Sequence, residues 1–535
     1  MPTPPPMTAA DPDPERTPVV IASGQSVERT EPVTPVDLME RACETALADV
    51  PALRGVIQQV SVVNVLGSAG PAPATELAAR IGAGGASCEV TTIGGNSPQW
   101  LVNRAATAIA GGSLDVAVIA GAAAIRSSRA RRAAGLPREP GAVRLPADPV
   151  VGDGLPGVGP AESAIGLLLP VHIYPLFESV VASRAGHDAT EHRRAMGRLL
   201  APFTEVAADN PYAWFPEIRT AEAIATPSPD NRVVSEPYTK LMTAFLGSDQ
   251  GAALVVCSLA AARRAGVADR AVFVWSGAEA TDIRSVTARP DLGRSPGIAA
   301  AGRAALAGAS AAAGSWGPVG IDDIGVLDIY SCFPSAIELA ASALGLAVDD
   351  PRGLTVTGGL PYFGGPGNNY TTHGIATVTE LLRESPVGSG GEAGSGRSGL
   401  RMGMATGLGW FITKHAVGIY ANTPPPGGFH HADTAADQAA IDAGAVEVAL
   451  EVDAPTPATV VGVTVTRDGD GSPVSAPLIA RLPDGRRMAL AAADDEVVRT
   501  MGGIDTPGAV GETVVVQPGA ARYRLSADLL RLATV

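Results

Sequence analysis

The sequence predicts an α/β protein in which one strand–turn–helix plan is laid down twice, with a long excursion inside the first half and a small β-barrel at the end. Three observations carry this. Strands and helices alternate with short glycine turns from residue 18 onward. The same plan returns within residues 276–422, and from residue 443 the pattern changes to short alternating strands. Such alternation indicates a mainly parallel sheet with helices on both faces, and the change of style indicates a separate unit.

Residues 1–17 (MPTPPPMTAADPDPERT) are proline-rich and acidic with no apolar core, which predicts a disordered tail and not a signal peptide. The first half, 18–124, opens with a strand at 19–24 and a helix at 34–48 that Asp37 and Glu40 keep wet on one face. A strand at 59–65 and a helix at 75–81 follow. Residues 88–93 (CEVTTI) read as a buried strand, Gly94-Gly95-Asn96 as a turn, and 97–109 as a helix. Pro98 suits its first turn, and Gly111-Gly112 ends it. A strand at 115–120 comes next.

The alternation breaks in residues 125–240, which hold loops, helical segments at 176–185 and 190–207, and the run Asn210-Pro211-Tyr212-Ala213-Trp214-Phe215. This stretch reads as an excursion held over one end of the sheet. Residues 241–275 return to the first half, with strands at 251–258 and 272–276. In the second half, a strand at 324–329 enters the turn Tyr330-Ser331-Cys332-Phe333, and a helix opens at Pro334. That unit repeats strand, short turn and proline-started helix. A glycine run, a helix at 374–383, a flexible loop at 388–399 and strands at 401–406 and 416–420 complete the half.

Residues 423–442 have the composition of a linker. In 443–535, strands are expected at 446–452, 459–466, 476–482 and 486–492, then a helix at 494–501 and strands at 512–517 and 521–525. Asp484-Gly485 marks a hairpin. Three strands, a helix and two strands is the order of an OB-type barrel. Its acids outnumber its bases, and Tyr523 is its one aromatic residue, against stacking on nucleic acid.

A chain of 535 residues with 46% apolar residues builds large cores in two or three domains. The net charge of -15 argues against sequence-independent binding to nucleic acid or to acidic membranes. Lysine occurs only at Lys240 and Lys414 against many arginines, which reads as base composition. The four scattered cysteines, Cys43, Cys88, Cys257 and Cys332, argue against a metal site or a disulfide framework and make a reducing cytoplasm the default. No stretch approaches the ~20 apolar residues of a membrane span.

Four blocks resemble the thiolase superfamily: the strand–turn–helix unit with GGNSPQ at its tip, VSEPYTKLMTAFLGSDQGAALVVCS, YSCF at 330–333, and GGLPYFGGPGNN. The chain is similar to the thiolase-like protein type 1 class, related to sterol-carrier-type thiolases, which adds a C-terminal domain. The resemblance implies a duplicated thiolase fold of five layers (αβαβα), with 125–240 as its loop domain. It places Gln99 on the family's glutamine and Gly94 on the nucleophilic cysteine. Gly365-Pro366 stands where His-Pro is expected, and Ala405 where the second cysteine is. A thioester Claisen reaction needs an activated nucleophile and a second proton carrier, so the chain is expected not to be a competent thiolase.

What remains implied is a protein of lipid or acyl-CoA metabolism, formally of the acyltransferase (acetyl-CoA acetyltransferase-like) class, whose status as an enzyme is open. Coenzyme A or an acyl-CoA is the expected ligand, its adenine end held by 125–240. Family thiolases dimerise through the strand that carries the nucleophile, so a homodimer is expected, or a monomer if the C-terminal domain covers that surface. Tyr330 takes the first place of the family's NEAF/HDCF block, where related aldolases use tyrosine as an acid/base. That makes a retro-aldol lyase on a β-hydroxyacyl-CoA one alternative and a non-catalytic CoA-dependent scaffold another. Asn96, Asn368 and Asn369 are candidate carbonyl donors, or ordinary turn residues. Ser97 opens a helix whose positive end suits an acyl carbonyl. His373 is expected as a capping or surface histidine, His415 as packed beside the closing strand, and Cys88 and Cys332 as core cysteines.

Overall fold

The computed structural model describes residues 12–66, 69–136, 146–384 and 399–532. The first half contains β1 (Pro18–Val27), α1 (Pro35–Asp49), β2 (Gln59–Val62), α2 (Pro73–Arg80), β3 (Ser87–Thr91), α3 (Ser97–Ala110) and β4 (Val116–Ala124). The excursion carries β5 (Val150–Val151), α4 (Pro170–Ala185) and α5 (Ala189–Asp209), and β6 (Asp249–Ser258) returns to the sheet. The second half holds β7 (Val272–Thr281), α6 (Pro296–Ala313), β8 (Ile324–Asp328), α7 (Pro334–Leu344), α8 (Tyr370–Glu384), β9 (Met402–Gly409) and β10 (Lys414–Ala421).

These strands form one continuous sheet in the order β8-β9-β10-β7-β1-β6-β4-β2-β3-β5. Its two halves are the same motif. In the first, β1 is antiparallel to β6, β6 antiparallel to β4, and β4 parallel to β2. In the second, β7 is antiparallel to β10, β10 antiparallel to β9, and β9 parallel to β8. A short antiparallel contact, Val19 with Phe273 and Val20 with Val272, joins them. The sheet is therefore mixed, not mainly parallel. The connection of residues 410–413 between β9 and β10 is too short for a crossover, so it must make a hairpin.

Helices α1 and α2 cover one outer face and α6 the other, with α7 packed on α6 and on the excursion helices, while α3 and α8 lie between the halves and touch strands of both. This is the five-layered arrangement. The middle core packs Leu101, Val102 and Ile109 of α3 with Ile375 and Val378 of α8, Leu254 of β6 and Ala405 of β9. The duplication pairs α3 with α8 and α2 with α7. The unit at 324–344 is thus the counterpart of β2–α2, not of the β3–α3 unit it resembles in sequence.

Past β10 the chain stays attached. His430-His431 pairs with Ser276 and Gly277 of β7, Trp275 Nε1 donates to Thr423 O at 2.7 Å, and α9 (Ala435–Ala443) occupies much of the expected linker. The barrel is closed: β11 (Thr456–Val463), β12 (Leu478–Arg481), β13 (Arg487–Ala492), β15 (Arg522–Leu525) and β14 (Thr513–Val516) follow one another around it. A helix, α10 (Asp495–Met501), sits between β13 and β14, as the OB-type order requires. The strand expected at 446–452 is reduced to one bridge from Val448 to Arg487. Residues 12–17 of the expected tail are ordered. Arg16 is pinned to Ile109 O, Leu114 O and Asp115, with the ion pair at 2.7 Å. The flexible loop expected at 388–399 lies, but for residue 399, outside the described residues. Among the described residues no helix is long and apolar enough to cross a membrane.

Candidate functional site

The turn between β3 and α3 is held from three sides. Gly94 N–H donates to Asn368 Oδ1 at 3.1 Å, and Asn368 Nδ2 donates in turn to Asn64 O at 2.9 Å. Thr371 Oγ1 donates to Gly95 O at 2.9 Å. From the third side, the end of β9 packs on Asn96: a Cβ on Gly407 would fall 2.8 Å from Asn96 Cα, and one on Gly409 would fall 2.4 Å from Asn96 Oδ1. Asn96 Oδ1 also stands 2.3 Å from where a Gly94 side chain would begin. The amide thus fills the nucleophile position, and this oxygen is buried without a hydrogen-bond partner. A missing partner for a buried acceptor costs stability, so filling this space carries an energetic price that the surrounding packing offsets.

Tyr330 reaches the same turn. Its hydroxyl would lie 2.4 Å from a Cβ on Gly95, and its backbone N–H donates to Thr406 Oγ1 at 2.9 Å. Its ring meets Tyr370 edge-on at 5.4 Å. Burial, followed by neighbouring Cys332 and Tyr370, pushes the phenol well above its ordinary value of 10.0. A proton-abstracting base needs the opposite shift. The space beside Tyr330, Thr406 and His415 is a void of about 10 Å³, room for no more than a water.

Ser97 shares a small space with Asn96 and His415, and the other candidates are dispersed. Asn369 Nδ2 donates to Gly121 O at 2.6 Å while its Oδ1 accepts from Thr372 Oγ1 at 2.6 Å, so both ends of the amide are engaged in holding the fold. The Ser97 hydroxyl turns back to Thr92 O at 3.4 Å. Gly365 packs on Phe245, donating its N–H to Phe245 O at 2.7 Å. Ala405 belongs to the middle core. His373, expected at the surface or as a cap, is fully buried in α8, with Nδ1 2.8 Å from Gln25 Oε1. A helix sandwiched between two sheet halves has no solvent face, which the sequence pattern alone does not reveal.

Gln99 is structural too. It bonds Asn103 Oδ1 at 2.8 Å and accepts from the Tyr420 hydroxyl at 2.8 Å, and Asn103 continues to Glu279 at 2.6 Å. His415 Nε2 lies 2.8 Å from Asp282 Oδ2. Burial alone would raise Asp282, but His415, Arg289 and Ser295 together outweigh it and hold the carboxyl below its ordinary value. On the excursion side, Trp214 N–H donates to Phe363 O at 2.7 Å, and Gln250 Nε2 donates to Tyr212 O and Phe363 O at 2.9 and 2.8 Å. This seals residues 210–215 over the glycine run.

A larger space lies apart from the turn. A cavity of about 600 Å³ opens between the start of α6, the loop before it and α7, lined by Ile283, Pro290, Leu339, Ala343, Arg289 and Arg294. Chemically, the turn offers no thiol and no lowered phenol, and the imidazole that shares a small space with Asn96 and Ser97, that of His415, is engaged by Asp282; the larger cavity offers an apolar bed beside guanidinium groups.

No protein-family model and no curated protein matches the sequence. Among solved structures, the chain is similar to a monomeric SCP2-thiolase-like protein type 1 from Mycobacterium smegmatis, at 31% identity and a TM-score of 0.77, over 96% of this chain and 100% of that one. It shares its fold with an Ltp2-ChsH2(DUF35) aldolase (20% identity, TM-score 0.54, 75% of this chain and 98% of that one). The human mitochondrial 3-ketoacyl-CoA thiolase also shares it (15% identity, TM-score 0.54, 77% of this chain and 100% of that one). With 31% of residues identical to the first of these over 96% of this chain and the whole of that one, the chain belongs to the SCP2-thiolase-like protein type 1 family of the thiolase superfamily.

Proposed function

We propose that this protein binds an acyl-CoA-type ligand and carries out neither thiolytic cleavage nor Claisen condensation. The observation that carries the reading is the filled turn: Asn96 Oδ1 lies 2.3 Å from the place where a side chain at Gly94 would start. The ligand class comes from the fold, since one relative is by name a 3-ketoacyl-CoA thiolase. Its seat in this reading is the cavity of about 600 Å³, a volume within the range of small-molecule sites. Leu339, Ala343 and Pro290 suit an acyl or pantetheine chain, and Arg294, with its side chain 80% exposed, suits a phosphate at the rim. Arg184 of the excursion meets that rim through Asp291 at 2.7 Å.

Calorimetry with CoA and with short-chain, long-chain and sterol-type acyl-CoAs tests this. Binding that is lost in Ala343→Trp, which fills the cavity, supports it. Silence across all ligands, or affinity unchanged by the filling substitution, overturns it.

A lyase acting through Tyr330 is the second reading, favoured by the contact of the Tyr330 hydroxyl with the Gly95 turn. The upward shift of the phenol opposes it. Loss of β-hydroxyacyl-CoA cleavage in Tyr330→Phe with ligand affinity retained would support the lyase. A wild type that turns over nothing would end it and leave a ligand-dependent scaffold.

A further inference from the structure

Where the excursion packs on the second half, Glu178 of α4, His192 of α5 and Glu338 of α7 turn toward one another. Glu178 is 0% and His192 2% exposed. One donor atom from each of the three residues lies within 4.8 Å of the other two. His192 Nε2 is 2.5 Å from Glu178 Oε1, and the Tyr238 hydroxyl donates to Glu178 Oε2 at 2.5 Å. Tyr238 is itself steadied by Ser335 Oγ at 2.8 Å, so the Glu178 carboxyl is fixed in orientation. Glu338 Oε2 is enclosed with no hydrogen-bond partner.

Two enclosed carboxyls facing each other repel unless a proton or a cation stands between them. Burial, with Glu178 adding repulsion, drives Glu338 well up, while burial drives His192 down and keeps its imidazole neutral. Neutral imidazole is the form that ligates metal. On the far side of the ring, His192 Nδ1 is 3.4 Å from Nδ1 of the half-buried His187. When Nε2 gives its lone pair to an ion, Nδ1 carries the proton and His187 can accept it, the outer hydrogen bond that metal-bound histidines use.

We propose that Glu178, His192 and Glu338 form a site for a divalent first-row transition-metal ion that ties the excursion helices to α7. Two carboxylates and one imidazole suit zinc or manganese, with water completing the sphere. Calcium takes about 6–8 oxygens and is poorly served by three donors that include a nitrogen. Bond lengths of about 2.0–2.2 Å require donors about 3 Å or more apart, so binding opens the His192–Glu178 contact by about half an ångström.

The full-length protein, stripped with chelator, is titrated calorimetrically with Zn²⁺ and Mn²⁺, and with Co²⁺ followed by visible absorption. One equivalent per chain, cobalt ligand-field bands and a raised Tm are expected. Affinity should fall at least tenfold in His192→Asn and in Glu338→Gln, and less in His187→Ala. His430→Ala with His431→Ala controls for the separate histidine pair and should change nothing. Absence of cobalt bands in the wild type overturns the proposal whether or not the variants fold. So does binding that survives His192→Asn and vanishes in the His430/His431 control. A shared proton in place of a metal would appear as no binding together with a higher Tm in Glu338→Gln, and would also overturn it.

Discussion

The Tyr330 hydroxyl rests against Gly95, 2.4 Å from where a side chain there would begin, with Leu408 O at 2.5 Å on the same side. The second glycine of the turn is therefore a packing requirement, set by one flexible-ended tyrosine and one rigid backbone oxygen. Gly94 differs: its nearest obstacle is the end of the Asn96 side chain, which can rotate, but its φ of +158° is one that L side chains rarely adopt. Gly95→Ala is expected to cost about 1–3 kcal/mol by forcing β9 away from the turn, and Gly94→Ala about as much through backbone strain. Urea unfolding midpoints decide it. A loss at Gly95 with none at Gly94 would show that the turn accepts a side chain at Gly94 without strain.

Restoring the nucleophile alone should restore nothing. Gly94→Cys places a thiol in the turn, but no imidazole is provided at Gly365 and no second thiol at Ala405. The turn's own N–H is already spent on Asn368. Wild type and Gly94→Cys are both expected at background in an acetoacetyl-CoA cleavage assay. Ordinary thiolase turnover by the wild type would refute the non-condensing reading.

Much of this was legible in the sequence, for identifiable reasons. Pro98 and Gly111 frame α3, and Asp484-Gly485 with the strand count announces the barrel. Strand direction was not legible, because hydrophobic period carries no sign. A proline-started helix points to the wrong partner unit for Pro334 if only α3 is considered, because Pro73 starts α2 just as Pro334 starts α7, whereas α8 begins at Tyr370. That was the available signal. The filled nucleophile space needs the three-dimensional approach of Gly409 to Asn96. Glu178, His192 and Glu338 are too far apart in the chain to register as a set, and a search built on cysteine spacing passes over them.

The family's dimerisation edge is occupied by the chain itself. β5 adds to β3, Val90 opposite Val150 and Thr91 opposite Val151, with Thr92 N–H donating to Val151 O at 2.8 Å. β3 is paired on its other side by β2. Over Val90–Thr92 both edges are taken, so a partner strand finds no ladder to join there. The covering element is a piece of the excursion, not the C-terminal barrel named in the sequence reading. Light scattering is expected to return the mass of one 53.9 kDa chain, and a dimer at micromolar concentration would contradict the covered edge.

His373 sets a pH dependence that can be isolated. Burial pushes it from 6.5 down to about 3, and its Nε2 is enclosed without a partner while Nδ1 donates to Gln25. Between these two values the unfolded chain binds a proton that the native chain excludes. Stability contributed by the neutral ring is therefore full above pH 6.5 and lost as pH falls toward 3, at about 1.4 kcal/mol per pH unit. Asp328, raised by burial from 3.8 to about 6, acts with the opposite sign: its native form holds a proton that the unfolded form releases, so it loses stability as pH rises through that window. The two partly cancel in the wild type, so the informative quantity is a difference. In His373→Asn the amide nitrogen replaces Nδ1 as donor to Gln25 and nothing titrates. The stability of this variant relative to wild type should climb steadily as pH drops from 6.5 toward 3 in denaturant titrations. A difference that stays constant across that range would mean that the ring is protonated in the native protein and that its burial costs nothing.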